Sequence, residues 1–240
     1  MIKVVTRKGL YALVMNGKRV SMWDHFRLSQ YSCYKGKWTF FMFRIKKTTL
    51  IIDLNHTDED ILGSFKSNTR NEVRRGMRED IKIEQASVDE FIIFYNDFAK
   101  EKSLPFISCA DIKKWKTPSS RVMLQKAVGK CGTLSMHANV IDEEEKIANL
   151  LYSATRRFDT SLDRKLIGFS NRYLHYVEFL KLRDEGVYTY DFSGVCIDEK
   201  DKEKYNIGLF KRGFGGEIKE SIALESIPMF IVEKIKSLFS

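Results

Sequence analysis

Four basic residues recur at intervals of four in the first half of the sequence: Lys66, Arg70, Arg74 and Arg78. Apolar residues between positions 59 and 75 fall at helical spacing, so a helix here would align the four cations beside its apolar face. Like charges at this spacing repel each other by roughly a few tenths of a kcal/mol. Arg75 adds another charge, and Gly76 is expected to end the helix. The pattern favours an anionic ligand, with a solvated basic face as the alternative.

An acidic residue lies in the middle of a predicted strand. Residues 187–193 are rich in aromatic and β-branched side chains, and Asp191 stands between two of the aromatics. A carboxylate is unfavourable there unless it has a partner or a task. Asp191 could orient an amine or accept its proton. A structural carboxylate that caps the turn at residues 193 and 194 is the alternative.

Histidine and cysteine spacing bears on bases, nucleophiles and metal ligands. The ring pKa of a histidine suits a general base at neutral pH, but no motif supports His137 on its predicted strand or His175 on its predicted helix. The cysteines and histidines are scattered, without the close pairs that a structural zinc site uses. No Gly-x-Ser-x-Gly elbow occurs, and no cysteine adjoins a histidine. We therefore expect free thiols, no metal ion and no covalent nucleophile.

The composition limits the class of protein and of partner. The chain has 240 residues, with 41 lysines and arginines against 32 aspartates and glutamates, and a formal charge of +9. Its apolar runs fall short of the roughly 18 residues of a membrane helix, and cations interrupt any signal-like start. A cytoplasmic protein without stable membrane insertion is expected. The charge suits RNA, an anionic membrane surface, or a phosphate-bearing molecule such as coenzyme A or a nucleotide sugar; solubility alone is the alternative.

Short strands are predicted to dominate the start of the chain. Alternation and turn residues indicate strands over 1–6, 9–15 and 19–22, then a hairpin with arms 38–45 and 48–54. After the basic helix, a strand is expected over 81–84. Ser87 and Glu90 have capping-box spacing ahead of an apolar run that reaches Ala99, which predicts a helix. Residues 110–127 suggest another.

The second half alternates strands with helices. Strands are predicted over 132–141 and 146–154, and a long amphipathic helix over 162–185 ends at Gly186. There follow the strand 187–193, a charged loop 198–204, a glycine- and aromatic-rich segment 205–214, a final strand and a helix over 228–239. This order predicts one α+β domain. Its parts are N-terminal strands 1–57, a core 58–220, and a C-terminal strand and helix 221–240.

Three segments resemble a known family. They are residues 65–75 (FKSNTRNEVRR), residues 150–154 (LLYSA), and the block formed by 188–194 (YTYDFSG) and 207–216 (IGLFKRGFGG). Together they are similar to the Fem-like branch of the GNAT acyltransferase superfamily, over roughly residues 50–220. That branch includes aminoacyltransferases of peptidoglycan bridges and single-domain relatives placed with envelope polysaccharide synthesis. The resemblance implies a mixed central sheet, flanked by helices on both faces and splayed to admit an acyl donor.

The resemblance also implies site residues. The Phe–Lys pair of the closing block lies at the reaction centre of the family, so Lys211 would stabilise the oxyanion or hold the donor carbonyl while Phe210 shapes the pocket. A lysine extending from a strand end is the structural alternative. Asp191 would act on the acceptor amine. The remaining candidates for the substrate are the basic residues of the predicted helix and two tyrosines, for which core packing is the alternative: Lys66, Arg70, Arg74, Tyr152 and Tyr190.

The donor site departs from the family pattern. Members that use coenzyme A carry a glycine-rich turn whose N–H groups hold the pyrophosphate, whereas residues 156–164 (RRFDTSLDR) contain no glycine. Arginines could replace those donors as phosphate ligands, and glycines of the closing block allow close approach. The donor-site candidates are Arg156, Arg157, Arg164, Gly213 and Gly215. An acyl-CoA and an aminoacyl-tRNA both remain open as donor.

The resemblance and the residues together predict a metal-independent N-acyltransferase. It would transfer an acyl group from a thioester to an amine on an envelope precursor such as an amino sugar, in the cytoplasm or at the inner face of the membrane. An aminoacyl-tRNA-dependent transferase is the alternative enzyme. A non-catalytic module of the same fold that binds RNA or anionic membrane is the alternative from another class.

Overall fold

The computed structural model describes residues 1–6, 9–37 and 39–238, with side chains to residue 235 in the last helix. In the first half the strands are β1 (Ile2–Thr6), β2 (Tyr11–Met15), β3 (Leu28–Ser32), β4 (Met42–Asp53) and β5 (Lys82–Gln85). The helices there are α1 (Asp58–Ser64), α2 (Ser67–Arg78), α3 (Val88–Glu101) and α4 (Cys109–Lys113). The second half contains β6 (Ser120–Gly129), β7 (Gly132–Asp142), β8 (Ile147–Thr155), α5 (Arg164–Asp184), β9 (Thr189–Gly194), α6 (Lys202–Arg212), β10 (Glu217–Ser226) and α7 (Ile227–Leu238).

The described strands form one ten-stranded sheet in the order β1-β2-β3-β10-β4-β9-β8-β7-β6-β5. The pairs β2–β3 and β8–β9 are parallel, and the other neighbours are antiparallel. The final strand β10 inserts between β3 and β4, so the C-terminal part of the chain joins the N-terminal strands to the rest of the sheet. The predicted α+β class with a mixed sheet is confirmed.

Helices cover both faces of the sheet because successive side chains of a strand point in opposite directions. On β7, Met136 and Ala138 pack into the cluster that contains Phe91 of α3. The residue between them, His137, points the other way and contacts Glu178 of α5. The helices α3 and α5 therefore lie on opposite faces, as the resemblance implied.

The predicted basic helix is two helices in the structure. Thr57 caps α1, and the backbone turns to an extended conformation at Phe65 before α2 begins. Phe65 is buried edge-on against Tyr176, Phe179 and Phe214, so burial of this one ring interrupts the helix. Lys66 consequently becomes the N-cap of α2 and lies outside the helical stripe.

The prediction that Gly76 ends the helix is wrong. Gly76 lies inside α2, which continues to Arg78, and it is buried against α5. A Cβ at this position would come within 2.6 Å of the Cβ of Tyr173. The glycine is needed for the close approach of two helices, a requirement that the local sequence does not reveal.

Three further predictions in the first half are wrong. The strand over 19–22 is absent, since a 3-10 helix covers Met22–His25 and the strand follows at β3. The hairpin is one continuous strand, β4, because its ten pairs with β10 extend through Lys46 and Lys47; Trp38 lies outside the described residues. The helix over 110–127 is limited to α4, and β6 occupies most of the remainder.

In the second half, the charged loop and the glycine-rich segment that follows it become helix α6, capped by Asp201. The capping box of α3, the end of α5 at Gly186 with φ of +78°, and the strands β7, β8 and β9 match the predictions. The last helix also agrees, although Phe239 lies outside the described residues. Across the described part of the chain, no helix is long and apolar enough to cross a membrane.

Two helical glycines give a matched test of the α2–α5 packing. We expect Gly76→Ala to lower the free energy of unfolding by about 1–3 kcal/mol, because the new methyl group overpacks the contact with Tyr173. Gly63→Ala in α1 meets no atom within 4 Å and should raise the free energy by up to about 1 kcal/mol through helix propensity. Urea unfolding of both variants measures this, and equal effects would contradict the packing role.

Candidate active site

The sheet opens between its two central parallel strands. Pairing of β8 with β9 covers three residue pairs, from Ile147–Thr189 to Asn149–Asp191, although both strands continue beyond them. At the same level the β7–β8 register shifts, leaving Leu151 as an extra residue on β8. Such a bulge bends its strand and is frequent beside active sites. The bulge therefore turns β8 away from β9 where the gap begins.

A cavity of about 390 Å³ occupies this gap. Side chains of both strands, of α5 and of α6 line it, together with Phe98 of α3, Lys102 directly after that helix, and Arg157. The helix α6 closes the open side, since Glu203 forms an ion pair with Lys102 and Phe210 lies 4.7 Å below the guanidinium of Arg172 on α5. The cavity thus passes from the α3 face of the sheet to the α5 face.

Lys211 brings a partly buried ammonium group to the cavity. Its Nζ donates to the carbonyl oxygens of Phe192 and Gly194, each 2.7 Å away, beyond the last β8–β9 pair. These bonds use two of the three N–H donors of an ammonium group. Burial lowers the pKa of Lys211 to about 8, against the opposing charge of Asp191. The side chain extends from helix α6, not from a strand end, and its neighbour Phe210 lines the same cavity.

Asp191 points away from the cavity. Its carboxylate accepts from the hydroxyl of Thr49 and, over 2.7 Å, from the backbone N–H of Ser193, and the thiol of Cys33 lies 3.4 Å away. Burial raises the pKa of Asp191 although these donors oppose it. The contacts hold the end of β9 in place, and this geometry corresponds to the structural alternative considered for Asp191.

The two candidate tyrosines lie in the core. The hydroxyl of Tyr190 donates to Oδ1 of Asn139 over 2.9 Å and the side chain is fully buried. Tyr152 packs on the opposite face against Tyr95, with ring centroids 5.0 Å apart. Burial raises the pKa of Tyr152 to about 12. Neither ring is among the residues that line the cavity.

The arginines of α2 divide into two groups. Arg70 is half-buried, and its Nη1 donates to the carbonyl of Gly63 over 2.9 Å. Arg74, Arg75 and Arg78 are exposed and surround a shallow depression. We call these three residues the arginine ridge. Since α2 packs on α5, the ridge lies on the α5 side of the sheet.

The donor-site candidates are also spread. Arg157 lines the cavity, whereas Arg156 lines an adjoining groove that shares Phe98 and Thr155 with it. Arg164 is exposed in the first turn of α5. The cavity and the groove thus lie side by side, and two of the three arginines border them.

The closing glycines join helices to one another. A Cβ on Gly213 would lie 2.3 Å from Oγ1 of Thr69, and one on Gly215 would lie 2.5 Å from the carbonyl of Ser64. Gly215 also has a φ of +76°. These glycines bring the end of α6 against α1 and α2, so the close approach that they permit is to protein backbone and side chains.

A buried polar network beside the cavity was missed in the sequence. His137 Nδ1 lies 2.8 Å from Oε2 of Glu178, and its Nε2 lies 2.8 Å from Oδ1 of Asn171. Asn139 donates to the other oxygen of Glu178 over 3.0 Å. The signal was available, because Asn171, His175 and Glu178 recur at helical spacing on the apolar face of α5.

His137, His175 and Glu178 also place potential metal ligands within 4.8 Å of one another. The two imidazole rings are stacked, with centroids 4.0 Å apart and planes inclined by 30°. Ring nitrogens bind a metal in the plane of the ring, so stacked rings do not converge on a common tetrahedral centre. Both nitrogens of His137 already have hydrogen-bond partners. Within the cluster, His137 and Glu178 are joined by a hydrogen bond, and His175 stacks on His137.

No family model and no curated protein matches the sequence. Among solved structures, FemX is similar with a TM-score of 0.61 and 14% identity, over 78% of this chain and 63% of FemX, so the chain spans less than two thirds of that protein. The C-terminal domain (DUF2156) of an Agrobacterium fabrum protein assigned as a lysylphosphatidylglycerol synthetase has a TM-score of 0.57 and 11% identity, over 90% and 78% of the two chains. L-PGS from Bacillus licheniformis has a TM-score of 0.57 and 11% identity, over 96% and 86%. Similarity at these identities establishes the fold, and the Fem-like fold is confirmed.

The buried pair of His137 and Glu178 should be sensitive to loss of one partner. We expect Glu178→Ala to lower the free energy of unfolding by about 3–5 kcal/mol, because it leaves a buried imidazole without its carboxylate. The control is Glu220→Ala, which removes an exposed ion pair with Lys46 and should leave the midpoint of urea unfolding unchanged. A small effect of Glu178→Ala would contradict the buried pair.

Proposed function

We propose that this protein is an acyltransferase that moves an acyl or aminoacyl group to an amine, with the acyl donor in the cavity between β8 and β9. The observation that carries the proposal is the ammonium group of Lys211, which is held where β8 and β9 separate and keeps one N–H donor for a ligand. The shared fold with FemX and L-PGS supports the same class of reaction.

The proposed role of Lys211 follows from the position at which negative charge develops during acyl transfer. When an amine attacks the acyl carbonyl, negative charge appears on the carbonyl oxygen, and a preorganised cation in a water-poor site stabilises it strongly. Lys211 supplies this cation because a lysine with a pKa of about 8 is mostly protonated at neutral pH. Phe210 and Phe192 form apolar walls beside it. We assign Asp191 to holding the end of β9, whose carbonyls position Lys211.

The donor carries phosphate in either version of the proposal. An acyl-CoA would extend along the groove past Arg157 and Arg156, and an aminoacyl-tRNA would in addition meet the arginine ridge and Lys66 on α2. The name of the Agrobacterium protein joins a lysyl group to a phospholipid, which favours an aminoacyl donor. For the acceptor we propose an amine on an envelope precursor such as an amino sugar, reached from the cytoplasm or the inner face of the membrane.

One observation favours a second candidate function. The arginine ridge is exposed, and none of its three arginines forms an ion pair with an acidic residue in the described part of the chain, although Arg75 lies over the ring of Phe169. The chain could therefore bind RNA or an anionic membrane without turnover. Such a module would show steep salt dependence and no transfer.

Replacement of Lys211 tests the enzyme directly. We expect Lys211→Ala to lower kcat for transfer by about 100-fold or more, since the oxyanion loses its main donor. The control is Lys204→Ala on the same helix, whose side chain is 74% exposed and which should leave kcat unchanged. Transfer from labelled acyl-CoA and aminoacyl-tRNA to amino sugars measures this. Full activity in a folded Lys211→Ala protein would refute the assignment.

The pH profile gives a second test of the same group. Because the pKa of Lys211 is lowered to about 8, the lysine is cationic below this pH and loses its charge as the pH rises through it. We expect kcat/KM to fall on the alkaline side with an apparent pKa near 8. A rate that continues to rise to pH 10 would show that the ammonium is not required.

The arginine ridge can be tested through salt dependence. We expect Arg74→Ala with Arg78→Ala to weaken binding of tRNA and to reduce the slope of log affinity against log salt by about 2, one for each lost phosphate contact. Lys46→Ala with Lys47→Ala removes the same charge from the exposed part of β4 and is the control. If the two double variants bind tRNA with the same affinity and the same salt dependence, the arginine ridge is a solvated surface and not a binding site for tRNA.

A further inference from the structure

His175 is a buried polar residue without a partner at the inner end of the cavity. Its ring is fully buried and lines the cavity, yet neither ring nitrogen has a hydrogen-bond partner among the described residues. The surrounding rings are aromatic: Phe179, Tyr190, Phe192, Phe210 and Phe214. An unsatisfied buried donor or acceptor costs about 1–3 kcal/mol. A phenylalanine would fill this position without that cost, so the imidazole points to a ligand.

The neighbouring network determines how His175 can bond. His137 is held from both sides by Glu178 and Asn171 and stacks on His175. Nδ1 of His175 lies 3.6 Å from Oε2 of Glu178. This is too long for a hydrogen bond, but the carboxylate favours the tautomer with its proton on Nδ1. Nε2 is then left as an acceptor.

Asn171 supplies the complementary donor on the same wall. Its Oδ1 is occupied by His137, and no hydrogen bond within the described part of the chain uses its Nδ2. Asn171 and His175 are one helical turn apart on α5, and both line the cavity. The wall thus offers one acceptor and one donor close together, which matches a hydroxyl group, since a hydroxyl both donates and accepts.

The surrounding charge argues against a cationic ligand group at this position. Burial lowers the pKa of His175 well below its usual value, and the nearby charges of Lys211 and Arg172 lower it further. These two cations would repel an ammonium group on a ligand. A neutral hydrogen-bonding group is favoured.

We propose that Asn171 and His175 form the subsite for a hydroxyl group on the transferred acyl moiety, so that the donor carries a hydroxylated acyl group and not a plain alkyl chain. The inference rests on the proposed function, because it assumes that the cavity holds the acyl donor. It adds the chemical class of the acyl group. That class is shared by hydroxyacyl thioesters and by aminoacyl esters with a hydroxylated side chain.

The test uses two pairs of donors that differ by one hydroxyl group: butyryl-CoA with 3-hydroxybutyryl-CoA, and the alanyl ester with the seryl ester of one and the same tRNA. Binding of each to the full chain is measured by competition or calorimetry. We expect the hydroxylated member of one pair to bind about tenfold more tightly, the effect of a ligand hydrogen bond to an otherwise unpaired buried group. The pair that binds shows whether the acyl donor is a thioester or an aminoacyl ester of tRNA.

The variant His175→Phe should erase this preference, so that both members of the pair bind with equal affinity. It should also stabilise the free protein, because it removes the unpaired polar group, whereas His137→Phe should destabilise it by stranding Glu178. If the His175→Phe protein does not fold, His175→Leu is used in its place.

The possible failures are distinguishable. Equal binding of both members by the unchanged protein, or a preference that survives in His175→Phe, overturns the hydroxyl subsite and leaves the proposed function standing. Failure of all four donors to bind overturns the proposed function, and the subsite falls with it.

Discussion

The site depends on an interruption of hydrogen bonding in the middle of the sheet. Where β8 and β9 stop pairing, backbone carbonyls lie at the edge of a gap inside the protein. Buried backbone groups require partners, and Lys211 supplies one to the carbonyl of the buried Phe192. It also donates to the carbonyl of Gly194, which is exposed. The same ammonium group thereby becomes fixed beside the cavity. The structural need of the opened sheet thus places this ammonium group where the proposed acyl transfer would use it.

The elements around the gap can be understood from this requirement. Helix α6 must lie across the opening for Lys211 to reach β9, and it is attached to α3 by Glu203 and to α5 by Phe210. Its end is brought against α1 and α2 by glycines that permit contact closer than a side chain would allow. Helix α6 therefore connects the helices on the two faces of the sheet at the gap where β8 and β9 are not hydrogen-bonded to each other.

In the polar network on α5, hydrogen bonds offset the cost of burying polar side chains. Glu178, His137 and Asn171 are buried and mutually hydrogen-bonded, so their desolvation is largely compensated. His175 is stacked on this network but is not part of its hydrogen bonding, and it faces the cavity. The buried polar groups are therefore hydrogen-bonded to one another except at the cavity wall. An unpaired polar group at that position is expected where a ligand binds.

Local signals in the sequence were sufficient for the α+β class, the capping box of α3, the end of α5 at Gly186 and most of the strands, because caps, glycine turns and alternation act over a few residues. The closing block marked Lys211 and Phe210, and both residues line the cavity. Local signals failed where distant residues decide. The burial of Phe65 against α5 splits the basic helix, pairing with β10 straightens the predicted hairpin into β4, and close packing against Tyr173 explains Gly76.

Packing between segments far apart in the chain also decides three features of the site. These are the separation of β8 from β9, the orientation of Asp191 away from the cavity and the unpaired nitrogens of His175. The sequence by itself therefore determined the classes of element and the chemistry available, while the tertiary structure alone decided which groups face the cavity, because burial and hydrogen-bond partners exist only once the chain has folded.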